Sequence, residues 1–348
     1  MKIVVLAGGL SPERNVSLSS GVKICQTLRD LGHQAAFVDM YLGLDIGTED
    51  PFRMPLPQQA AQVAKKAPDL EQVKAARTLG GNSMFGPGVL SLCTQADVVF
   101  LALHGSCGED GRVQAALDLM GIPYTGSGHL GSAIAMDKDL TKRVVAPLGV
   151  ITPNWETVHY SREEIPGLLD RLELPCVVKP VASGSSIGVS IARDREELRQ
   201  ALELGLDQGG RCVIEQYISG REIQVGILED RALPSIEIIP KEGFYDYENK
   251  YQPGAAREIC PAPIPPEWEE RVAQAALTVF HALGLCVYSR ADFIVTEDGT
   301  PWFLEINTLP GMTPTSLVPQ EAQVIGLDYG ALCERIIEAS LEARKAGM

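Results

Sequence analysis

The chain opens on an apolar run, Ile3 to Ala7 in "KIVVLAGG". It continues into "SLSSGVKICQTLRDLGH", where Leu18, Val22, Cys25, Leu28 and Leu31 recur at helical spacing. Apolar residues three and four apart share one face of a helix, whereas a short continuous run suits a strand covered on both sides. Strand, glycine turn and helix are therefore predicted, with Gly32 as the helix stop. "QAAFVDM" reads as a second strand and "ADVVFLALHG" as a later one. Parallel strands need long crossovers, so this order predicts an open parallel α/β sheet over the first ~125 residues.

The pattern then changes along the chain. Leu42 to Gly88 is rich in proline, glycine and glutamine and reads as an insertion with some helix around Pro57 to Leu79. A second α/β unit begins near Gly126 and holds the helix-like "AMDKDLTKRVVAPLG" and the strand "PCVVKPV". A third closes with a helix whose apolar face includes Leu332, Ile336 and Ala339. The expected domains are 1–126, with the insertion at about 42–88, then 127–215 and 216–348.

At 348 residues the chain has the length of two or three domains. Its hydrophobic content of 45% and charged content of 22% are those of a globular protein. No segment approaches the ~18 apolar residues of a membrane helix. The first apolar run meets Gly8, Gly9, Pro12, Glu13 and Arg14 at once, so it reads as a strand and not a signal peptide. Eight scattered cysteines without a C-x-x-C point to reduced thiols and the cytoplasm. A net charge of −15 repels nucleic acid and anionic membranes, which excludes both as expected partners. A small phosphate ligand stays open, because it needs only local lysines and backbone N–H groups.

The strongest chemical signal is "SRADFIVTEDGTPWFLEIN", Ser289 to Asn307. Asp298-Gly299 between two β-rich runs marks a hairpin. A loop of two or four residues sets Asp292 opposite Glu305 and Arg290 opposite Asn307, all on one face. Facing carboxylates need a cation or a shared proton, and Asn307 adds a third hard oxygen. That donor set suits Mg²⁺ held partly by nucleotide phosphates, and hence phosphoryl transfer. The alternative is a solvated patch in which Arg290 neutralises one carboxylate.

"VVKPVASGSSIGVS" delivers Lys179 to a strand end, where Pro180 is expected to stop regular pairing and Gly184 to allow a turn of N–H groups. The lysine precedes the glycines, so this is no Walker loop. It reads either as a flap over a nucleotide or as a plain turn. "EQYISGREIQVGI" places Glu215 and Glu222 around a turn between strands, as surface carboxylates or as acceptors for a nucleotide. "GFYDYENKYQPG" is an aromatic, charged loop with Lys250 and Tyr251 near its tip, suggestive of a lid. "HGSCGEDG" reads as a Cys107–His104 pair without a visible third group, or as a substrate-facing loop at a strand's carboxyl end. "NTLPGMTPTS" leaves its strand through Pro310-Gly311 and supplies backbone donors, or is an ordinary loop. "AGGLSPERNVS" lacks G-x-G-x-x-G, and its Glu13 suits an ammonium better than a phosphate.

In this order, "GGLSPERNVSLSSG", "LHGSCGEDG", "YTGSG" with "AMDK", "VVKPVASGSSIGVS", "FYDYENKY", "SRADF", "LEIN" and "LPGMTPTSLVP" resemble the ATP-grasp ligases, and closely the D-alanine:D-alanine ligases. The resemblance covers nearly everything except Leu42 to Gly88. It implies a three-domain α/β ATP-grasp architecture with an N-terminal open parallel domain. It also implies ATP-dependent joining of two D-alanines through an acyl phosphate, for peptidoglycan precursor synthesis. By the same resemblance Lys138 and Lys179 hold ATP phosphates, Glu215 and Tyr217 border adenine, Glu222 reaches ribose and Lys250 a phosphate. Asp292, Glu305 and Asn307 would hold two Mg²⁺ or Mn²⁺, while Arg290 and the Gly311 N–H would stabilise an oxyanion. Glu13 would anchor the first ammonium in a triad with Ser185 and Tyr251, and Ser316 the second carboxylate, with His104 nearby. The Lys250-Tyr251 pair favours D-alanine over D-lactate as second substrate. A homodimer is expected by the same analogy. A rival reading as a non-catalytic nucleotide-binding regulator predicts the loss of a metal ligand or of Arg290, and all four residues are present. An NAD-dependent oxidoreductase is the other rival, prompted by Gly8-Gly9.

Overall fold

Strand β1 (Lys2–Ala7) lies between β2 (Gln34–Asp39) and β3 (Val98–Leu101), parallel to both. Residues Ile3 to Ala7 are wholly buried, as a central parallel strand covered on both faces requires. The helix Arg14–Asp30 makes the first crossover. Its Gly21 lets it close on the sheet, since a Cβ there would stand 2.5 Å from the Ala7 Cβ. The strand order β2-β1-β3 reverses between β1 and β3. The carboxyl ends of those two strands therefore frame a crevice of the kind that binds ligands in open α/β sheets. Glu13 follows β1, and His104 and Glu109 follow β3, so all three stand at that crevice.

These elements come from a computed structural model that describes residues 1–44, 50–57, 60, 68–77, 81–106, 108–184, 186–241 and 256–347. Within the insertion the helix Leu70–Ala76 forms with Asp69 as its cap, accepting from the Glu71 and Gln72 N–H groups, and buries no residue. Phe52 and Leu56 join the N-terminal core. The closing helix Tyr329–Lys345 buries Leu332, Ile336 and Ala339 as its pattern predicts. It buries them against the core of the first sheet, at the other end of the chain. Among the described residues no helix is long and apolar enough to cross a membrane.

The second sheet is antiparallel, with β4 (Trp155–His159), β5 (Cys176–Pro180), β6 (Ser190–Ala192) and β7 (Arg211–Gln216) in the order β4-β7-β5-β6. Pro180 does not stop the pairing as expected. The ladder with β6 ends at Val178, but the one with β7 continues to Pro180 opposite Cys212. Proline lacks the N–H yet keeps its carbonyl, so it can still close the last rung toward one neighbour.

The third sheet contains β8 (Arg221–Leu228), β9 (Arg231–Ala232), β10 (Ile236–Pro240), β11 (Ala256–Ile259), β12 (Tyr288–Val295) and β13 (Pro301–Asn307). Its order is β11-β10-β8-β12-β13, with β9 beside β8. β7 and β8 belong to different sheets, so the turn between Glu215 and Glu222 is the crossing from one sheet to the next.

The β12–β13 register holds in outcome and departs in cause. Asp292 stands opposite Glu305 and Arg290 opposite Asn307. The connection, however, runs from Thr296 to Thr300, an odd number of residues, and near the turn Val295 pairs with Pro301. A bulge at Asp292/Phe293, with Leu304 as the extra residue, restores the expected partners. It also turns Leu304 and Glu305 toward the same cleft.

Gly111 caps the helix Arg112–Leu119 at φ +82°, and a Cβ there would lie 2.2 Å from the His129 carbonyl oxygen. Gly121 has φ +65° with nothing within 4 Å. A left-handed backbone costs an L-residue about 1–2 kcal/mol, and only Gly111 adds a clash with main chain. Gly111→Ala is therefore expected to lower the melting temperature clearly more than Gly121→Ala. Equal shifts in the two variants would show that the His129 contact carries no weight.

Candidate active site

A cleft of about 500 Å³ opens between the second and third sheets. Lys138, Lys179, Glu215, Tyr217, Glu222, Asp292 and Glu305 all line it, so the structure brings together residues that lie far apart in sequence. Val177, Ile191, Ile294 and Leu304 supply apolar wall. Apolar surface with a few convergent polar groups is the usual make-up of a small-molecule site.

Lys138 arrives at the head of the helix Lys138–Val145, which Asp137 caps by accepting from the Leu140 N–H at 2.9 Å. Its Nζ lies 3.1 Å from Glu305 Oε2 and donates to the Ser183 carbonyl at 2.6 Å. Lys142, one turn further on the same helix face, reaches Glu215 Oε2 at 2.9 Å. Lys179 reaches the other oxygen, Oε1, at 2.6 Å. Burial alone would raise the Glu215 pKa, but Lys179 and Lys142 outweigh it and hold the carboxyl below its usual range. Burial pushes Lys142 down to about 8 against the attraction of Glu215.

On the hairpin, Arg290 forks onto Asp292, with Nε donating to Oδ1 at 2.8 Å and Nη2 to Oδ2 at 3.0 Å. The Asn307 amide donates to the same Oδ2 at 3.4 Å. Arg290 and Lys138 thus stand where a cation would neutralise the two acids. Among the described residues no three His, Cys, Asp or Glu side chains cluster for a metal, and the Asn307 amide is the further oxygen-bearing group beside Asp292. Two carboxylates and an amide are hard donors and fit a hard divalent ion.

Glu13 is buried at the crevice of the first sheet. A Cβ on Gly105 would come within 2.3 Å of its Oε2, and one on Gly184 within 2.5 Å, so the flap after β5 meets the crevice at this carboxylate. His104 Nδ1 donates to the Leu309 carbonyl at 2.9 Å, and Glu109 accepts from the Leu309 N–H at 3.1 Å and the Gly105 N–H at 2.8 Å. Burial lowers the His104 pKa to about 4, so the ring is neutral. Burial, and next the charge of Glu13, raises Glu109. Gly311 and Ser316 share one turn, where the Ser316 hydroxyl accepts from the Thr313 N–H at 3.0 Å. Ser185, Lys250, Tyr251 and Cys107 lie outside the described residues.

Comparison with known proteins bears on this geometry. Residues 2–127 match the family described as D-ala D-ala ligase N-terminus, and residues 144–338 match D-ala D-ala ligase C-terminus. The chain belongs to the D-alanine–D-alanine ligase family. It is 41% identical over 342 residues to the D-alanine–D-alanine ligase of Pediococcus pentosaceus, covering 97% of each chain. It is 40% identical to that of Lacticaseibacillus casei, covering 100% of this chain and 98% of the relative. Among solved structures, the Bacillus anthracis D-alanine–D-alanine ligase complexed with ATP superposes with a TM-score of 0.76 at 32% identity, each chain covered in full. The Coxiella burnetii ligase gives 0.75 at 27% identity, covering 100% of this chain and 95% of that one. The fold is accordingly the α/β ATP-grasp fold of this family.

Three buried ionisable residues beside the candidate site are not singled out by the sequence motifs. Lys142 sits four residues after Lys138, a spacing that already implies a shared helix face. Glu109 lies inside the quoted glycine loop. Glu321, on the helix Leu317–Val324, leaves no such trace. It is wholly buried, neither carboxylate oxygen has a hydrogen-bond partner, and its Oε2 would stand 2.2 Å from a Cβ on Gly226. Burial raises its pKa well above 4.5, although the charge of Arg290 opposes the shift.

The sign follows from linkage. A carboxyl whose folded pKa exceeds its unfolded value stabilises the fold only while protonated in both states, and that stability is lost as pH rises above the unfolded value. Glu321→Gln removes the titration. Its melting temperature relative to the parent chain should be higher at about pH 8 than at about pH 5. A difference that does not change with pH would show that Glu321 titrates as an ordinary carboxyl.

Proposed function

We propose that the chain joins two D-alanine molecules into D-alanyl-D-alanine, with ATP converted to ADP and phosphate through a D-alanyl phosphate, as a step of peptidoglycan precursor synthesis. One observation carries this reading. The Lys138–Glu305 and Arg290–Asp292 pairs stand where the cleft between the sheets runs into the crevice holding Glu13, so a nucleotide and an amino acid can meet there.

Lys138 and Lys179 hold the phosphates, with Lys250 as a further contact. Glu215 and Tyr217 border the base and Glu222 the ribose. Asp292, Glu305 and Asn307 would hold two Mg²⁺ or Mn²⁺, which when bound neutralise charge on the transferring phosphoryl group. Glu13 fixes the ammonium of the first D-alanine, supported by Ser185 and Tyr251. Neutral His104 borders this substrate and adds no positive charge to repel the ammonium. The second D-alanine presents its carboxylate to Ser316, and its amine attacks the acyl phosphate. Arg290 and the Gly311 N–H donate to the developing oxyanion, a task for preorganised donors. The working divisions of the chain are 1–126, 127–215 and 216–348, and we propose a cytoplasmic homodimer with small molecules as its only substrates.

Purified protein with Mg²⁺ should release phosphate from ATP only when D-alanine is supplied, with dipeptide formed in equal amount. Phosphate release without dipeptide, or neither, would overturn the assignment. D-Lactate offered as second substrate should compete poorly. Arg290→Ala should lower kcat by about 10²–10³ while ATP affinity changes little, because its donors act in the transition state. Parallel losses in both would mark the Arg290–Asp292 fork as structural only.

A further inference from the structure

Glu215 holds two ammonium groups on one carboxylate, and the two lysines stand differently toward the cleft. Lys179 lines the cavity, whereas Lys142 does not. Lys142 lies wholly behind the wall, its side chain fully buried. It is ion-paired with Glu215 Oε2, hydrogen-bonded to the Thr152 hydroxyl, and lies 5.5 Å from the Trp155 ring centroid. The Thr152 hydroxyl donates onward to the Phe303 carbonyl at 3.0 Å, and Trp155 Nε1 donates to Asp139 at 2.9 Å, so every group around this ammonium is itself anchored.

Burying a second lysine against a carboxylate that already has one is unfavourable, because desolvation of each charge opposes it. The arrangement is explained if the first lysine has to leave. A nucleotide phosphate entering the cleft competes with Glu215 for Lys179, the lysine it can reach. Without a second cation, the departure of Lys179 would leave Glu215 charged and unpaired in the interior. The carboxyl would then take up a proton.

We infer that Lys142 is a positioning residue that keeps Glu215 ionised and in place when Lys179 turns to the nucleotide, and so fixes preference for a purine with a 6-amino group. The inference rests on the nucleotide-binding reading above. An ionised carboxylate only accepts, so it takes a hydrogen from the exocyclic amine of adenine and repels the 6-oxo group of hypoxanthine. A protonated carboxyl could donate to that 6-oxo oxygen and would discriminate less. No covalent step is involved, and Lys142 touches neither substrate.

The test compares ATP with ITP, which differs at the 6-position, by titration calorimetry on the full chain. Lys142→Met should weaken ATP binding at least tenfold and ITP binding much less, cutting the ATP-to-ITP preference about tenfold. Lys142→Arg should retain most of the preference, and the KM for D-alanine should stay unchanged in both. Affinity of Lys142→Met for ATP should also rise with pH, as Glu215 regains its charge, a dependence the parent chain lacks. Equal loss of ATP and ITP affinity, or an unchanged ratio, would overturn the inference. If Lys142→Met does not fold, Lys142→Gln is compared in parent and Glu215→Gln backgrounds. The ratio should respond only in the parent, and an equal response in both overturns the proposal. Failure of the parent chain to bind either nucleotide would instead sink the underlying ligase reading.

Discussion

One residue, Leu309, fixes through its backbone the geometry on which the site depends. Its carbonyl accepts the His104 Nδ1–H and its N–H donates to Glu109, so both backbone polar groups of the residue are held by side chains of the β3 loop. All the participants are buried, where such bonds are strong and where leaving one unmade is costly. Leu309 lies two residues beyond the end of β13. The pin therefore ties the crevice of the first sheet directly to the hairpin that carries Arg290, Asp292, Glu305 and Asn307. The closing helix Tyr329–Lys345, packed in the first core, ties the same two regions a second time through apolar contact. Glu13 and Arg290 owe their common position to these two links.

Within that frame, charge is arranged in neutralised groups that a ligand can rearrange. Glu305 has Lys138, Asp292 has Arg290, and Glu215 has two lysines. The chain as a whole carries −15, yet the cleft brings cations up to each of these acids. An anionic nucleotide thus meets local positive charge in spite of the overall sign, as expected for small phosphates. The ion pairs also explain why the hairpin face, which the sequence favours as a metal site, could be read in the alternative as a salt-bridge patch.

Much of the fold could be read from local pattern. The first sheet, the Arg14–Asp30 helix, the buried face of the closing helix and the hairpin follow from periods of two and 3.6 and from turn residues. The facing of Asp292 and Glu305 followed too, although through two irregularities that cancel. The odd connection at Thr296–Thr300 shifts the ladder by one, and the bulge at Leu304 shifts it back. A two-residue or four-residue loop without a bulge gives the same pairing, so pattern alone could not tell the two apart. The Glu215–Glu222 segment read correctly as a turn between strands, but local composition could not show that it crosses from one sheet to the next.

What stayed hidden is the set of buried ionisable groups without a motif of their own, Lys142, Glu109 and Glu321. A charged residue on a helix is ordinarily a surface residue, so nothing in composition marks Lys142 or Glu321 as the exception, and Glu109 sits in a loop of ordinary polar composition. The structure does leave a trace of it in the glycines. Glu13 lies against Gly105 and Gly184, Glu321 against Gly226, and Asp39 against Gly8, each at a distance no Cβ would allow. Bringing a carboxylate onto main chain removes water from it, and the missing side chain is what makes the approach possible. Gly226 sits in a strand with ordinary backbone angles, where a turn does not explain it. A glycine within a strand, here opposite Arg290, then reads as the seat of a buried acid rather than as a flexible point.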